Sequence, residues 1–88
     1  MKRLGSGFLG SSELVNSGSG EFEIVPNKKS FYKFEFITKE EQEIRVKING
    51  GDPIVLWNGY FTIDHRDAKI HSFIIVDSDI EFYWYGAY

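Results

Sequence analysis

Cysteine is absent from the 88 residues, and there are only two prolines, two histidines and one methionine. Without cysteine there is no disulfide staple and no thiolate metal site, so stability rests on packing or on association with other chains. A basic field is also missing: ten Lys and Arg stand against 13 Asp and Glu, a net charge of −3. That balance removes any general attraction to phosphate backbones or anionic lipid. Nowhere do the roughly 18 consecutive apolar residues of a membrane helix occur. Met1-Lys2-Arg3 leads into Leu4-Gly5-Ser6-Gly7-Phe8-Leu9-Gly10, which has no continuous apolar core of a signal peptide. The expectation is a soluble product made in the cytoplasm without a signal peptide. A sustained 3.6-residue apolar period is lacking as well, so little or no helix is expected.

What the chain does have is aromatic weight: eight Phe, five Tyr and two Trp. A chain this short forms one domain. Its first twenty residues hold five Gly (5, 7, 10, 18, 20) and five Ser (6, 11, 12, 17, 19), which reads as a flexible Gly/Ser-rich arm over 1–20. From Glu21 the texture changes to short runs rich in Phe, Tyr, Ile and Val separated by turn residues. Strands are predicted near 21–25, 30–38, 43–49, 53–57, 60–64, 70–76 and 79–85. In EIRVKIN, Ile44, Val46 and Ile48 alternate with Arg45, Lys47 and Asn49, giving one core face and one wet face. The predicted domain, 21–88, is all-β: a small antiparallel β-sandwich of jelly-roll type.

Asn49-Gly50-Gly51-Asp52-Pro53 and Asn58-Gly59 each separate two apolar runs and predict two successive hairpins, the second with a type I′ turn. Two strands depart from simple alternation. In SFYKFEFIT, Tyr32, Phe34 and Phe36 share one face while Phe31 and Ile37 take the other. In IHSFIIV, Ile70, Ile74 and Val76 oppose Phe73 and Ile75. A sandwich buries one face per strand, so the second apolar faces predict contact with the arm or with another subunit. The last segment, EFYWYGAY, places Ile80, Phe82 and Trp84 inward and Tyr83 and Tyr85 outward. Phe31, Ile37, Phe73, Ile75, Tyr83, Tyr85 and Tyr88 are therefore the candidate oligomer interface.

Clusters with chemical potential are few. Gly5-Ser6-Gly7-Phe8-Leu9-Gly10 matches G-x-G-x-x-G but lacks the preceding strand and following helix that phosphate cradling requires. Asp64-His65-Arg66-Asp67 is a loop where a cation could gather oxygen and nitrogen ligands, though its spacing fits a solvated polar turn better. His71 and Ser72 are adjacent in a strand and face opposite sides, so they cannot pair as base and nucleophile. Asp77-Ser78-Asp79 and Glu40-Glu41-Gln42-Glu43 read as turn and connection chemistry. No catalytic residue, metal or cofactor is expected. Trp57, Asn58, Tyr60, Asp64 and His65 are candidate ligand-binding residues, since aromatic faces stack on sugar rings and polar neighbours supply specificity. Asn27-Lys28-Lys29-Ser30-Phe31-Tyr32-Lys33 interleaves basic and aromatic residues as a single-strand nucleic-acid binder would, but Glu35 and the negative net charge oppose that reading.

The Gly/Ser segment, the VKINGG-P-I hairpin from Val46 to Ile54, the IHSFII strand from Ile70 and the closing Trp84-Tyr85-Gly86-Ala87-Tyr88 together resemble small β-sandwich structural proteins of tailed phages and prophages. The resemblance covers most of the chain as a texture of strands and turns and carries no catalytic signature. It implies a non-enzymatic, virion-associated protein of the head surface, neck or tail, made in the bacterial cytoplasm. Such a protein would act as a symmetric homo-oligomer with other virion proteins as partners. A carbohydrate- or receptor-binding module, for instance for a cell-surface glycan, is the alternative.

Overall fold

The computed structural model describes residues 7–26, 29–63 and 68–88. Among them are nine strands and no helix: β1 (Phe8–Gly10), β2 (Val15–Asn16), β3 (Phe22–Glu23), β4 (Lys33–Thr38), β5 (Ile44–Ile48), β6 (Ile54–Leu56), β7 (Tyr60–Ile63), β8 (Phe73–Ile75) and β9 (Glu81–Ala87). Two antiparallel sheets pack face to face as a small β-sandwich. Sheet A has the order β1-β9-β4-β7, with β2 also on β9, and sheet B has the order β3-β8-β5-β6. All seven strands expected after residue 20 are present; six are shorter than expected, and β9 has the expected length but runs two residues further, to Ala87.

The pairings are nested. β5 pairs with β6, β4 with β7, β3 with β8, and β1 and β2 with β9, all antiparallel. The chain is thus a single long ribbon, doubled back at its middle and rolled over itself. Its tip is the β5–β6 turn, where Asn49 (φ 53°) and Gly50 (φ 77°) both take left-handed conformations and Gly51 N–H donates to the Ile48 carbonyl at 3.0 Å. This is the I′ geometry that matches strand twist. The Asn49 side chain ties the tip to the approach of β8: Nδ2 donates to the Lys69 carbonyl at 2.8 Å, and Oδ1 accepts from the N–H groups of His71 and Ser72. The expected second hairpin is corrected. Asn58-Gly59 joins β6 in sheet B to β7 in sheet A, so its turn carries the chain between layers.

The segment 7–20 is not a free arm. Phe8–Gly10 and Val15–Asn16 form the edge of sheet A against β9. Where this edge breaks, serine hydroxyls replace backbone partners: Ser11 Oγ accepts from Trp84 N–H at 3.0 Å, and buried Ser17 Oγ accepts from Ile80 N–H while donating to the Asp77 carbonyl, both at 2.9 Å. Small polar residues that look like linker chemistry serve here as backbone caps.

The core is an aromatic stack between layers. Phe73 of sheet B lies 4.9 Å from the Phe34 ring, 5.2 Å from Phe36 and 5.4 Å from Phe61, all three on sheet A. Each such pair adds about 0.5–1.5 kcal/mol beyond its area burial. Phe31 plugs one end, 5.9 Å from Phe34 and 5.8 Å from Trp84. Its position corrects the two-sided reading of 30–38 and 70–76. Phe31 bridges to Ile70, and both residues are followed by a bend, at Tyr32 and His71. Each bend resets the alternation, so Phe31, Phe34 and Phe36 all point inward, as do Ile70, Phe73 and Ile75. These strands have a single buried face.

The Phe31 ring rests directly on Gly86, where an added Cβ would lie 2.5 Å from Phe31 Cγ. Gly86→Ala is therefore expected to destabilise the fold by about 1–3 kcal/mol through overpacking. Thermal unfolding by circular dichroism checks this, with a lowered midpoint expected and an unchanged one counting against the close contact.

Candidate interaction surface

The outer face of sheet A follows from strand parity. On β4, Phe34 and Phe36 point to the core, so Glu35 and Ile37 point away from it. The registers β7–β4–β9 then set two rows across the face: Tyr60, Ile37 and Tyr83 in one, and Thr62, Glu35 and Tyr85 in the next. Ile37 and Tyr83 are each 45% exposed, Tyr60 40% and Tyr85 37%. An apolar ridge on an outer sheet face is where polar residues would ordinarily stand.

The polar centre of this face is Glu35. Tyr60 Oη donates to Glu35 Oε2 at 2.9 Å, reaching across from β7, and the Tyr85 hydroxyl acts on the same carboxylate from β9. The Tyr85 and Tyr60 hydroxyls hold the Glu35 carboxyl below the usual carboxylate range, against a small opposing effect of burial and with help from Lys33. Both phenols are in turn pushed up, chiefly by their hydrogen bonds to Glu35. The result is an ionised, oriented carboxylate set among tyrosines.

Two shallow depressions flank Ile37. One, of about 380 Å³, is lined by Ser11, Glu35, Ile37, Tyr83, Trp84 and Tyr85. The other, of about 370 Å³, lies toward Thr38, Lys39, Glu41, Asn58 and Tyr60. They are open grooves with apolar walls, suited to holding protruding side chains or a ring.

The candidate residues divide sharply. Ile37, Tyr83 and Tyr85 share this face. Phe31, Phe73 and Ile75 are fully buried within the single chain and are corrected from interface to core. Tyr88 is half-buried against Phe31, with Lys29 Nζ 3.8 Å from its ring centroid and its backbone paired with Gly7. It closes the core end and is no free contact residue. Of the ligand candidates, Tyr60 joins the face. Asn58 is occupied in its turn, accepting from Tyr60 N–H at 3.2 Å. Trp57, 76% exposed, stands at the tip of the β6–β7 connection. Asp64 and His65 lie outside the described residues. Of the basic and aromatic run 27–33, Asn27 and Lys28 lie outside the described residues; among the others, Phe31 is buried and Lys29 sits on Tyr88.

Glu35 is the residue that the sequence reading did not single out. Its signal was present as a lone carboxylate between Phe34 and Phe36 in a strand whose other outward positions include Ile37. What could not be read was that β7 and β9 would bring a tyrosine to it from each side. Among the described residues, no group of three or more His, Asp or Glu is placed to hold a metal.

No known protein family, no curated protein and no solved structure matches the chain.

The Glu35 network has a defined pH signature. Tyr60 and Tyr85 have raised pKa values in the folded chain, so their contribution to stability is complete below the ordinary phenol value near 10 and is lost as pH rises through the folded values. Glu35 has a lowered one, so its contribution is present above the ordinary carboxylate value and is lost as pH falls through the folded value. Glu35→Gln is expected to move the ionisation of two tyrosines to lower pH. Spectrophotometric tyrosine titration of the two proteins measures this, and superimposable curves would speak against the network.

Proposed function

We propose that this chain is a non-enzymatic structural protein that self-assembles and presents the outer face of sheet A to a neighbouring subunit in a phage or prophage virion. The observation that carries the reading is the run Tyr60, Ile37, Tyr83 with Tyr85: four large, partly apolar side chains in register on the solvent side of a small sandwich. Tyrosines with both an apolar body and a polar tip suit such a contact, since they bury area while keeping a hydrogen bond. The nested pairing of strands supports a jelly-roll reading, an architecture shared by viral capsid proteins and lectins. Architecture alone does not assign function, so the weight stays on the exposed face. The reading places the chain at the head surface, neck or tail, with other virion proteins as its expected partners.

A second reading is favoured by one specific feature, the oriented Glu35 carboxylate beside an open groove walled by Tyr83 and Tyr85. A carboxylate accepts hydroxyl protons and a tyrosine ring packs on a pyranose face, so a saccharide is the alternative occupant. Exposed Trp57 is some distance along the chain from this centre, at the β6–β7 tip, and enters the reading only as a peripheral contact.

Ile37→Asp separates the two. Its side chain points to solvent in the isolated chain, so the fold tolerates the change, while a charge at the centre of a subunit contact does not. Light scattering on a sizing column is expected to show a discrete oligomer for the parent chain and a smaller species for the variant. A parent chain that is already monomeric removes the assembly reading. Glycan-array binding lost on Glu35→Gln and on Tyr85→Ala would then support the saccharide.

A further inference from the structure

A β-sandwich has four strand edges, and exposed edges invite pairing with other chains unless they are blunted. Three of the four here are blunted. The β1/β2 edge is interrupted between Gly10 and Val15, β3 is two residues long, and β6 is three residues long and follows Pro53. The fourth, β7, is regular over Tyr60-Phe61-Thr62-Ile63, with no proline, no charge and no bulge in its pairing with β4. All four residues favour strands.

Ladder geometry says which backbone groups this edge offers. Thr38 N–H donates to the Gly59 carbonyl at 3.0 Å, so the pairs in register with it, Phe36 with Phe61 and Phe34 with Ile63, are the hydrogen-bonded ones. The backbone N–H and C=O of Thr62 therefore face away from β4, toward the open side of sheet A. Tyr60 N–H is already taken by Asn58 Oδ1. Among the described residues β7 pairs only with β4, so Thr62 is the centre of its open edge. Phe61 and Ile63, the core-facing members of β7, are only half-buried, and Ile54 on β6, the strand that leads into β7, is 43% exposed.

We infer that β7 pairs antiparallel with β7 of a second copy across a two-fold axis at Thr62, joining the two A sheets into one continuous sheet. This refines the self-assembly reading above, on which it rests. A strand that meets its own copy in this way places one residue opposite itself. At that position the chain has a neutral, strand-favouring threonine, and threonine pairs across strands are favourable. Each Thr62 N–H donates to the Thr62 carbonyl of the other copy, a closed pair of hydrogen bonds, and the half-buried Phe61 and Ile63 gain cover. The two outer faces then lie side by side, with Tyr60 of each copy nearest the seam. A two-fold, isologous contact closes on itself and leaves the Ile37 face open for further assembly.

Thr62→Lys tests this without disturbing the fold. The side chain at 62 is exposed and lies opposite Glu35 on β4, so a single lysine is accommodated in one chain, while two lysines face each other across the axis. Light scattering of full-length proteins is expected to show the dimer dissociation constant raised by about tenfold or more in the variant. Near 1 M salt, where the Debye length falls to about 3 Å, part of the association should return. Thr62→Val should keep the parent's mass. Thr62→Pro, which deletes the donor, should lose the edge contact at any salt, with circular dichroism reporting whether it is folded. If Thr62→Lys keeps the parent's oligomeric mass at low salt, the edge pairing is wrong while assembly through the Ile37 face stands. A parent chain that is monomeric ends both.

Discussion

The contact between the Phe31 ring and Gly86 is the constraint on which the rest of the molecule depends. It lies at the end of the sandwich where the ribbon changes layers, with Phe31 bridged to Ile70 on the sheet B side and followed at once by β4 of sheet A. The ring can occupy this corner only because residue 86 has no side chain. Phe34, Trp84 and Tyr88 then gather around it and seal that end of the core. A bend at Tyr32 is the backbone's means of turning Phe31 inward without misplacing Phe34 and Phe36. The same bend keeps Glu35 and Ile37 on the outer face.

That phase setting links core to surface. Because side chains alternate with a period of two, shifting β4 by one residue would bury Glu35 and expose both phenylalanines. Phe73, held among Phe34, Phe36 and Phe61, resists any such slip from the opposite sheet. The Glu35, Tyr60 and Tyr85 cluster is thereby positioned by packing on the other side of its own strand. A site on three neighbouring strands needs no loop ordering on binding, which lowers the entropy cost of engagement.

Polar chemistry within the chain is directed mostly at closing its seams. Asn49 secures the ribbon tip, Ser11 and Ser17 repair the interrupted edge of sheet A, and Glu23 accepts from the N–H groups of Val25 and Phe73 and from Ser72 Oγ. Arg45 donates to Asp77 through its backbone N–H and through Nη2, both at 2.9 Å, so that despite the opposing effect of burial the Asp77 carboxyl is held below its ordinary range. With these groups committed to structure, the outer face of sheet A is where large, partly apolar side chains stay exposed.

By itself the sequence determined the all-β class, the position of seven strands and the inward direction of Phe34, Phe36 and Phe82, because apolar alternation and turn chemistry are local properties. The Asn49-Gly50 turn was legible for the same reason. It did not reveal that the Gly/Ser segment pairs with β9, since serine caps and linker serines have the same composition and differ only in what lies opposite them. Nor could it place Phe31, Phe73 and Ile75 in the core, because one bend on each approach reverses the parity that a continuous strand would have. The Glu35 cluster belongs wholly to the tertiary structure: Glu35, Tyr60 and Tyr85 lie on three strands far apart in the chain, and only the registers of β7 and β9 against β4 bring them together.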